Sequence, residues 1–305
     1  MNRFLTFLLL SFVLGACTGQ SWSEIRVVAS QPATDEEYQA AVGVLKNRLS
    51  AAEIDYQTVR YLESEKQIVI LLEEAVEQHL AVEAIARQLS IGFWPTVWTT
   101  DEEGVSFWEL LTAAQREDKN LSKLIQPTRE EQTYQPDVFA MTTDTSLMPR
   151  TISSLRKLLP DNVLPMWSAE PDFPGPDQQT YFGLFLLRSD TTGRAPINQD
   201  HISKAEMFID EQMGEPILEL EFDEGGTLKW RDMTTEAAYA GNKSIAISLD
   251  NRVYFAPRVR EPIGSGKSWL TGYFTARELD KIASQLGSGN LPMPLTVISI
   301  EPLKE

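Results

Sequence analysis

The sequence predicts an α+β fold built on a ferredoxin-like βαββαβ unit. Three observations lead there. From Ser23 to Trp98 the signals read strand, helix, strand, strand, helix, strand; capping-box pairs open two of the helices; and the later chain again alternates strands with amphipathic helices.

In order, Glu24 to Ala29 alternates around Ile25, Val27 and Val28, and reads as the first strand. Thr34, with Glu37 three residues on, forms a capping box opening a helix whose apolar face is Tyr38, Val42, Leu45 and Leu49. Asp55 to Tyr61 and Ile68 to Leu72 are the middle strands, joined by the polar turn Glu63 to Lys66. A second helix begins near Glu73 with Val82, Ile85, Ala86 and Leu89 at helical spacing, and Ile91 to Val97 is expected to close the sheet. Trp94 and Trp98 are expected to pack against those helices, since large aromatics dominate core burial.

Residues 101–178 read as an irregular helical and proline-rich insertion. Phe107 to Lys119 and Leu155 to Leu159 have helical patterning, but Pro160, Pro165, Pro171, Pro174 and Pro176 argue against a ladder or a long helix. From residue 179 order returns, with strands at Tyr181 to Arg188 and Ile217 to Phe222. A helix carrying Trp230, Met233, Thr234 and Ala237 follows, then strands at Ser244 to Leu249 and Val253 to Ala256. The clearest helix opens on the Thr275 and Glu278 box, buries Leu279, Ile282, Ala283 and Leu286, and ends near Gly287. A last strand runs from Leu295 to Ile300.

The N-terminus carries Arg3 and an apolar run from Phe4 to Leu14, too short to remain as a bilayer span, before the chain turns polar at Thr18. The junction Leu14, Gly15, Ala16, Cys17 resembles the lipobox of bacterial lipoproteins. That resemblance implies a leader at residues 1–16, acylation of Cys17, with palmitate among the expected chains, and a tether at 17–22; an ordinary cleaved leader is the alternative. By resemblance to enterobacterial lipoprotein sorting, Thr18 after the cysteine favours the outer membrane over the inner, with the body facing the periplasm. Cys17 is the single cysteine, so stability has to come from a packed core, for which 42% hydrophobic residues suffice.

The formal charge is −17, and a leader containing Arg3 and no acid takes it to −18 when removed. Such a chain repels phosphate backbones, which excludes nucleic acid as a partner. Gly264, Ser265, Gly266, Lys267 and Ser268 look like the end of a phosphate-binding loop, but Glu261 replaces its first glycine and the following residues read as strand, so no nucleotide site is expected. His79 and His201 lie in different units, which leaves no histidine metal cluster or triad, and His79 is expected to be packed or capping. Glu73 with Glu74, Glu102 with Glu103, and Glu130 with Glu131 read as solvated pairs. No catalytic residue, metal or cofactor is nominated.

One stretch carries a family resemblance. Asn242 and Lys243 lead into Ile245 to Asp250, Val253, Ala256 with Pro257, Pro262 with Ile263, and Gly266; Leu270, Thr271, Gly272, Phe274 and Thr275 follow, then Gly289, Leu291, Pro292, Pro294 and Leu295. This resembles the end of the first periplasmic domain of SecD, the protein-export membrane subunit, and more weakly so do Ile202 to Phe222 and Leu45 to Leu72. Asn251 and Asn290 stand where the family carries glycine and alanine. The resemblance implies a ferredoxin-like base at 23–100 and a head-like α+β region at 179–305. In SecD the domain leads into membrane helices that couple proton flow to export, whereas this sequence stops at Glu305, so the expectation is a non-enzymatic binding module without a motor. Its implied partners are polypeptide clients or Sec and envelope proteins. A scaffold lipoprotein without clients is the alternative, and an exposed apolar groove on the head would separate the two.

Overall fold

The protein is described here from a computed structural model covering residues 22–303, apart from 74–77, 87–88, 129–133, 176, 178 and 273. The leader, Cys17 and the acidic residues Glu74, Glu130 and Glu131 lie outside the described residues.

The base is a four-stranded antiparallel sheet of order β15-β1-β3-β2. Its strands are β1 (Trp22–Ala29), β2 (Tyr56–Leu62), β3 (Gln67–Glu73) and β15 (Leu295–Pro302). Helix α1 (Asp35–Ala51) opens on the expected box, with Thr34 accepting from the Glu37 amide and Glu37 from the Thr34 amide. It lays Tyr38, Ala41, Leu45 and Leu49 against Ile25, Val27, Ile68 and Ile70, and α2 (Gln78–Ala86) adds Ala81, Ala84 and Ile85. Strand order and helix placement are those of the ferredoxin-like unit, as predicted.

The closing strand differs. β4 (Ile91–Pro95) does not join this sheet; β15, some 200 residues later in the chain, pairs with β1 from Ser23↔Pro302 to Ala29↔Leu295. Alternation explains the exchange. Ile91 to Trp94 are buried on both faces, which suits an interior strand, whereas β15 alternates and suits a sheet with one face covered. β4 sits between β12 (Ile245–Leu249) and β9 (Ile197–Asn198) in the order β13-β12-β4-β9, where β13 is Arg252–Phe255. Leu89, expected on the α2 stripe, lies past that helix and packs with Ile91, Phe93 and Trp230. Glu73 ends β3 and does not open a helix.

Residues 101–178 are more regular than their prolines suggested. Helices α3 (Glu102–Glu117) and α4 (Leu147–Leu155) cover a sheet of order β5-β8-β6, made of Val138–Thr142, Thr180–Arg188 and Val163–Trp167. Phe107, Leu111, Phe139, Leu155, Trp167 and Leu184 share one core there. Pro165 is tolerated because β6 is an edge of that sheet, and Pro174 lies in the two-residue strand β7 (Phe173–Pro174). Trp94 is buried as expected, but against Val138, Met166 and Leu187 and not against the base helices.

A third layer, order β10-β11-β14, is formed by Ile202–Ile209, Pro216–Phe222 and Lys267–Leu270. Helix α5 (Glu224–Tyr239) buries Trp230, Thr234 and Ala237, and α6 (Ala276–Gly287) opens on the Thr275–Glu278 box. Leu279, Ile282 and Leu286 of α6 share a core with Leu218, Leu220 and Phe222 of β11. Among the described residues, no helix is long and apolar enough to cross a membrane.

Candidate functional site

Where these layers meet, the chain leaves a cleft of about 560 Å³ lined by Phe173, Phe185, Val253, Tyr254, Phe255 and Trp269, among others. A second groove of about 550 Å³ shares Ile247, Pro257, Arg258 and Trp269 with it.

Local chemistry builds the walls. β12 and β13 are joined by a two-residue turn at Asp250 and Asn251, whose φ values of 48° and 61° give the twist a tight hairpin needs. Asparagine adopts that conformation more readily than most residues, so Asn251 serves in a turn position that otherwise favours glycine. The hairpin delivers Tyr254 and Phe255, and Phe274 stacks on Tyr254 with centroids 4.9 Å apart. Gly266 sets the start of β14: its φ is +67°, and an added Cβ would come within 2.4 Å of Thr227 Oγ1. The Gly264 to Ser268 segment is therefore a turn entering a strand that pairs with β11, with no helix behind it.

On β14 alternation divides the neighbours: Leu270 enters the core, whereas Trp269 is 57% exposed and meets Phe208 edge-on at 6.0 Å. Trp269 Nε1 donates to Glu219 at 2.7 Å, and Lys267 Nζ donates to Glu219 and Glu221 at 2.8 Å each. Those two carboxylates hold the Lys267 ammonium well above its ordinary range, and Lys267 in turn lowers Glu219. Lys267 is thus engaged by carboxylates, which is the opposite of a phosphate-binding lysine.

The cleft also contains a buried acid. Asp137, just before β5, is 7% exposed, and desolvation pushes its carboxyl above the usual range, against the opposing influence of a hydrogen bond with Ser244 and the charge of Arg258. Arg258 lies over the Trp98 ring at 5.1 Å and donates to the Tyr134 carbonyl. Below this, Lys243 pairs with Asp101 at 2.6 Å and Arg188 with Glu103, which fastens the start of α3 to the strands. Glu103 is therefore an ion-pair partner and not merely solvated.

His79 is exposed on α2, not packed, and His201 lies in a short turn with its Nε2 2.9 Å from Lys229 Nζ. Among the described residues, no group of three or more His, Cys, Asp or Glu is arranged to hold a metal. The sequence nominated none of the cleft residues, because its walls come from positions as distant as Asp137 and Trp269.

The walls contributed by Phe185, Tyr254, Phe255 and Trp269 all fall within one matched segment. Residues 185–293 match the SecDF P1 head subdomain. SecD of Calditerrivibrio nitroreducens is 34% identical over 114 residues, which is 37% of this chain and 21% of that protein. SecD of Acidaminococcus fermentans is 41% identical over 88 residues, 29% of this chain and 20% of that protein. The chain thus spans about a fifth of the curated relatives it matches. The likeness in fold extends further. A crystal structure of SecDF in a super-membrane-facing form superimposes with a TM-score of 0.55 at 22% identity, covering 92% of this chain and 30% of that one. A second SecDF structure, described as a membrane component that enhances protein export, gives 0.53 at 22% identity and covers 90% of this chain and 98% of that one. The fold is that of the SecDF periplasmic structures, base included, with a SecD-like head.

Proposed function

We propose that this SecD-like chain is a non-enzymatic binding module of the bacterial cell envelope that engages unfolded polypeptides transiently, in the cleft between the head and the 101–178 region. The observation carrying this reading is the open aromatic wall: Trp269, Tyr254 and Phe255 line one cleft, with Phe208 against the Trp269 ring, where a scaffold would show an evenly charged surface. Export as the process is supported by the SecD likeness of residues 185–293. Attachment follows from the lipobox: Cys17 is the acylated anchor, the body faces the periplasm, and the outer membrane is its site. Cys17→Ala should release the folded body from the membrane fraction and abolish acyl labelling; retention in the pellet without label refutes the anchor.

Client contact is tested with photo-cross-linkers at Trp269 and Phe255, and at Ile298 on the base as a control. During active secretion the first two should capture secreted chains and the third should not. Stoichiometric capture of one fixed envelope protein, with no secreted chain at either cleft position, replaces the client reading with the scaffold one.

A further inference from the structure

An apolar cleft needs no carboxylate, and a carboxyl buried at its wall carries a desolvation cost unless something repays it. Asp137 is such a group: it is 7% exposed and lines the cleft together with Phe185, Phe255 and Ser244. Arg258 acts on it through charge without a hydrogen bond, and the Arg258 guanidinium is itself occupied by the Trp98 ring and the Tyr134 carbonyl. A second acid, Asp172, stands on the same cleft. Among the described residues the lining therefore pairs aromatic surface with an excess of acidic groups, two carboxyls to one arginine.

Resting on the client-binding function proposed above, we propose that Asp137 makes the cleft selective for a cationic side chain, lysine above all, carried in an otherwise apolar extended segment. Lysine matches this geometry. Its four-carbon stem can lie along the aromatic wall while the compact ammonium reaches the carboxylate, and a client cation supplies a direct counter-charge that the buried acid lacks among the described residues. Arginine would fit less well, because Arg258 already covers the neighbouring Trp98 face. A client acid at the same position is rejected by Asp137 and Asp172 together.

The test uses the full chain and ten-residue apolar peptides identical except at one central position: lysine, acetyl-lysine, norleucine or glutamate. Binding is read by calorimetry. The lysine peptide should bind about tenfold more tightly than the norleucine and acetyl-lysine peptides, as a charge-assisted contact of roughly 1.4 kcal/mol implies, with glutamate weakest. Asp137→Asn should erase the lysine preference and leave norleucine binding intact, which also shows that the variant folds. On the unaltered protein, carbodiimide should couple the bound lysine peptide to Asp137. Equal affinity for lysine and norleucine, a preference that survives Asp137→Asn, or coupling confined to other acids overturns the selectivity while leaving client binding in place. If the norleucine peptide fails to bind at all, the client-binding function falls, and the selectivity with it.

Discussion

The base sheet and the head sheet treat their two faces differently. In the base, Ile25, Val27, Ile68 and Ile70 turn one face inward and two helices cover it, while the opposite face carries Arg26 in contact with Glu24, Glu65 and Gln67. In the β10-β11-β14 sheet, Leu218, Leu220 and Leu270 are covered in the same way, but the opposite face carries Trp269 and Phe208 in the open beside a cleft. Ile298 aside, the base covers its apolar surface within the fold, whereas the head sheet leaves Trp269 and Phe208 partly exposed. The base is therefore where substitutions should cost stability, and the cleft is where they should cost function.

The largest effect is expected at the centre of the base. Leu45 is fully buried between α1 and the sheet, so Leu45→Ala should lower unfolding free energy by about 2–5 kcal/mol in urea titrations. A change under about 1 kcal/mol at this site would show that the base is not the stable half. Next is the α6 cap: Thr275→Ala removes the side chain that accepts from the Glu278 amide and should cost about 1 kcal/mol.

A pH-dependent effect is expected at Asp137, because it is a cleft residue that the fold has buried. Its folded-state carboxyl binds a proton more tightly than the unfolded one, since burial disfavours the charged form. Stability contributed by that proton is present below the ordinary carboxylate range and is lost as pH rises through the raised folded value. Asp137→Asn does not titrate, so its stability relative to the native chain should increase between about pH 4 and neutral. Melting curves at both ends of that window check the sign; a melting temperature of Asp137→Asn that falls relative to the native chain as pH rises contradicts it.

What the sequence disclosed and what it hid follow from how local each signal is. Both capping boxes were legible because a cap is decided within four residues, and Thr34 with Glu37 and Thr275 with Glu278 appear as read. β1 was legible from alternation, and β3 from its apolar run bounded by the polar turn Glu63 to Lys66. The partner of β1 was not, since a pattern states that a strand has one covered face but not which strand lies beside it; β4 and β15 exchanged places for that reason. Val138–Thr142 and Val163–Trp167 escaped notice because all of their residues are buried and no alternation remains, and Pro165 added a false objection that an edge position removes. The hairpin strand Ile202–Ile209 was missed for the opposite reason, having no buried residue to mark a face. The cleft combines both problems, with Phe173, Tyr254 and Trp269 on separate strands and Asp137 just before another, all brought together only by the long-range pairing.

The smallest expected change in stability is also the most informative about function. Trp269 is 57% exposed, and within the fold it meets the Phe208 edge and donates one exposed hydrogen bond to Glu219. Surface substitutions of this kind stay within about 0.5 kcal/mol, so Trp269→Ala should unfold almost where the native chain does. Glu219 keeps Lys267 as a partner at 2.8 Å, so the truncation does not strand a charge. If the indole is present for the protein's own sake, nothing else should change. If it is the open wall of a polypeptide cleft, capture of secreted chains from a cross-linker at Phe255 should fall several-fold in the same variant, at unchanged melting temperature, whereas Leu45→Ala should leave capture intact at temperatures where it remains folded. Loss of stability comparable to Leu45→Ala without loss of capture would reverse the assignment, making Trp269 a structural residue and removing the contrast between the covered base and the open head.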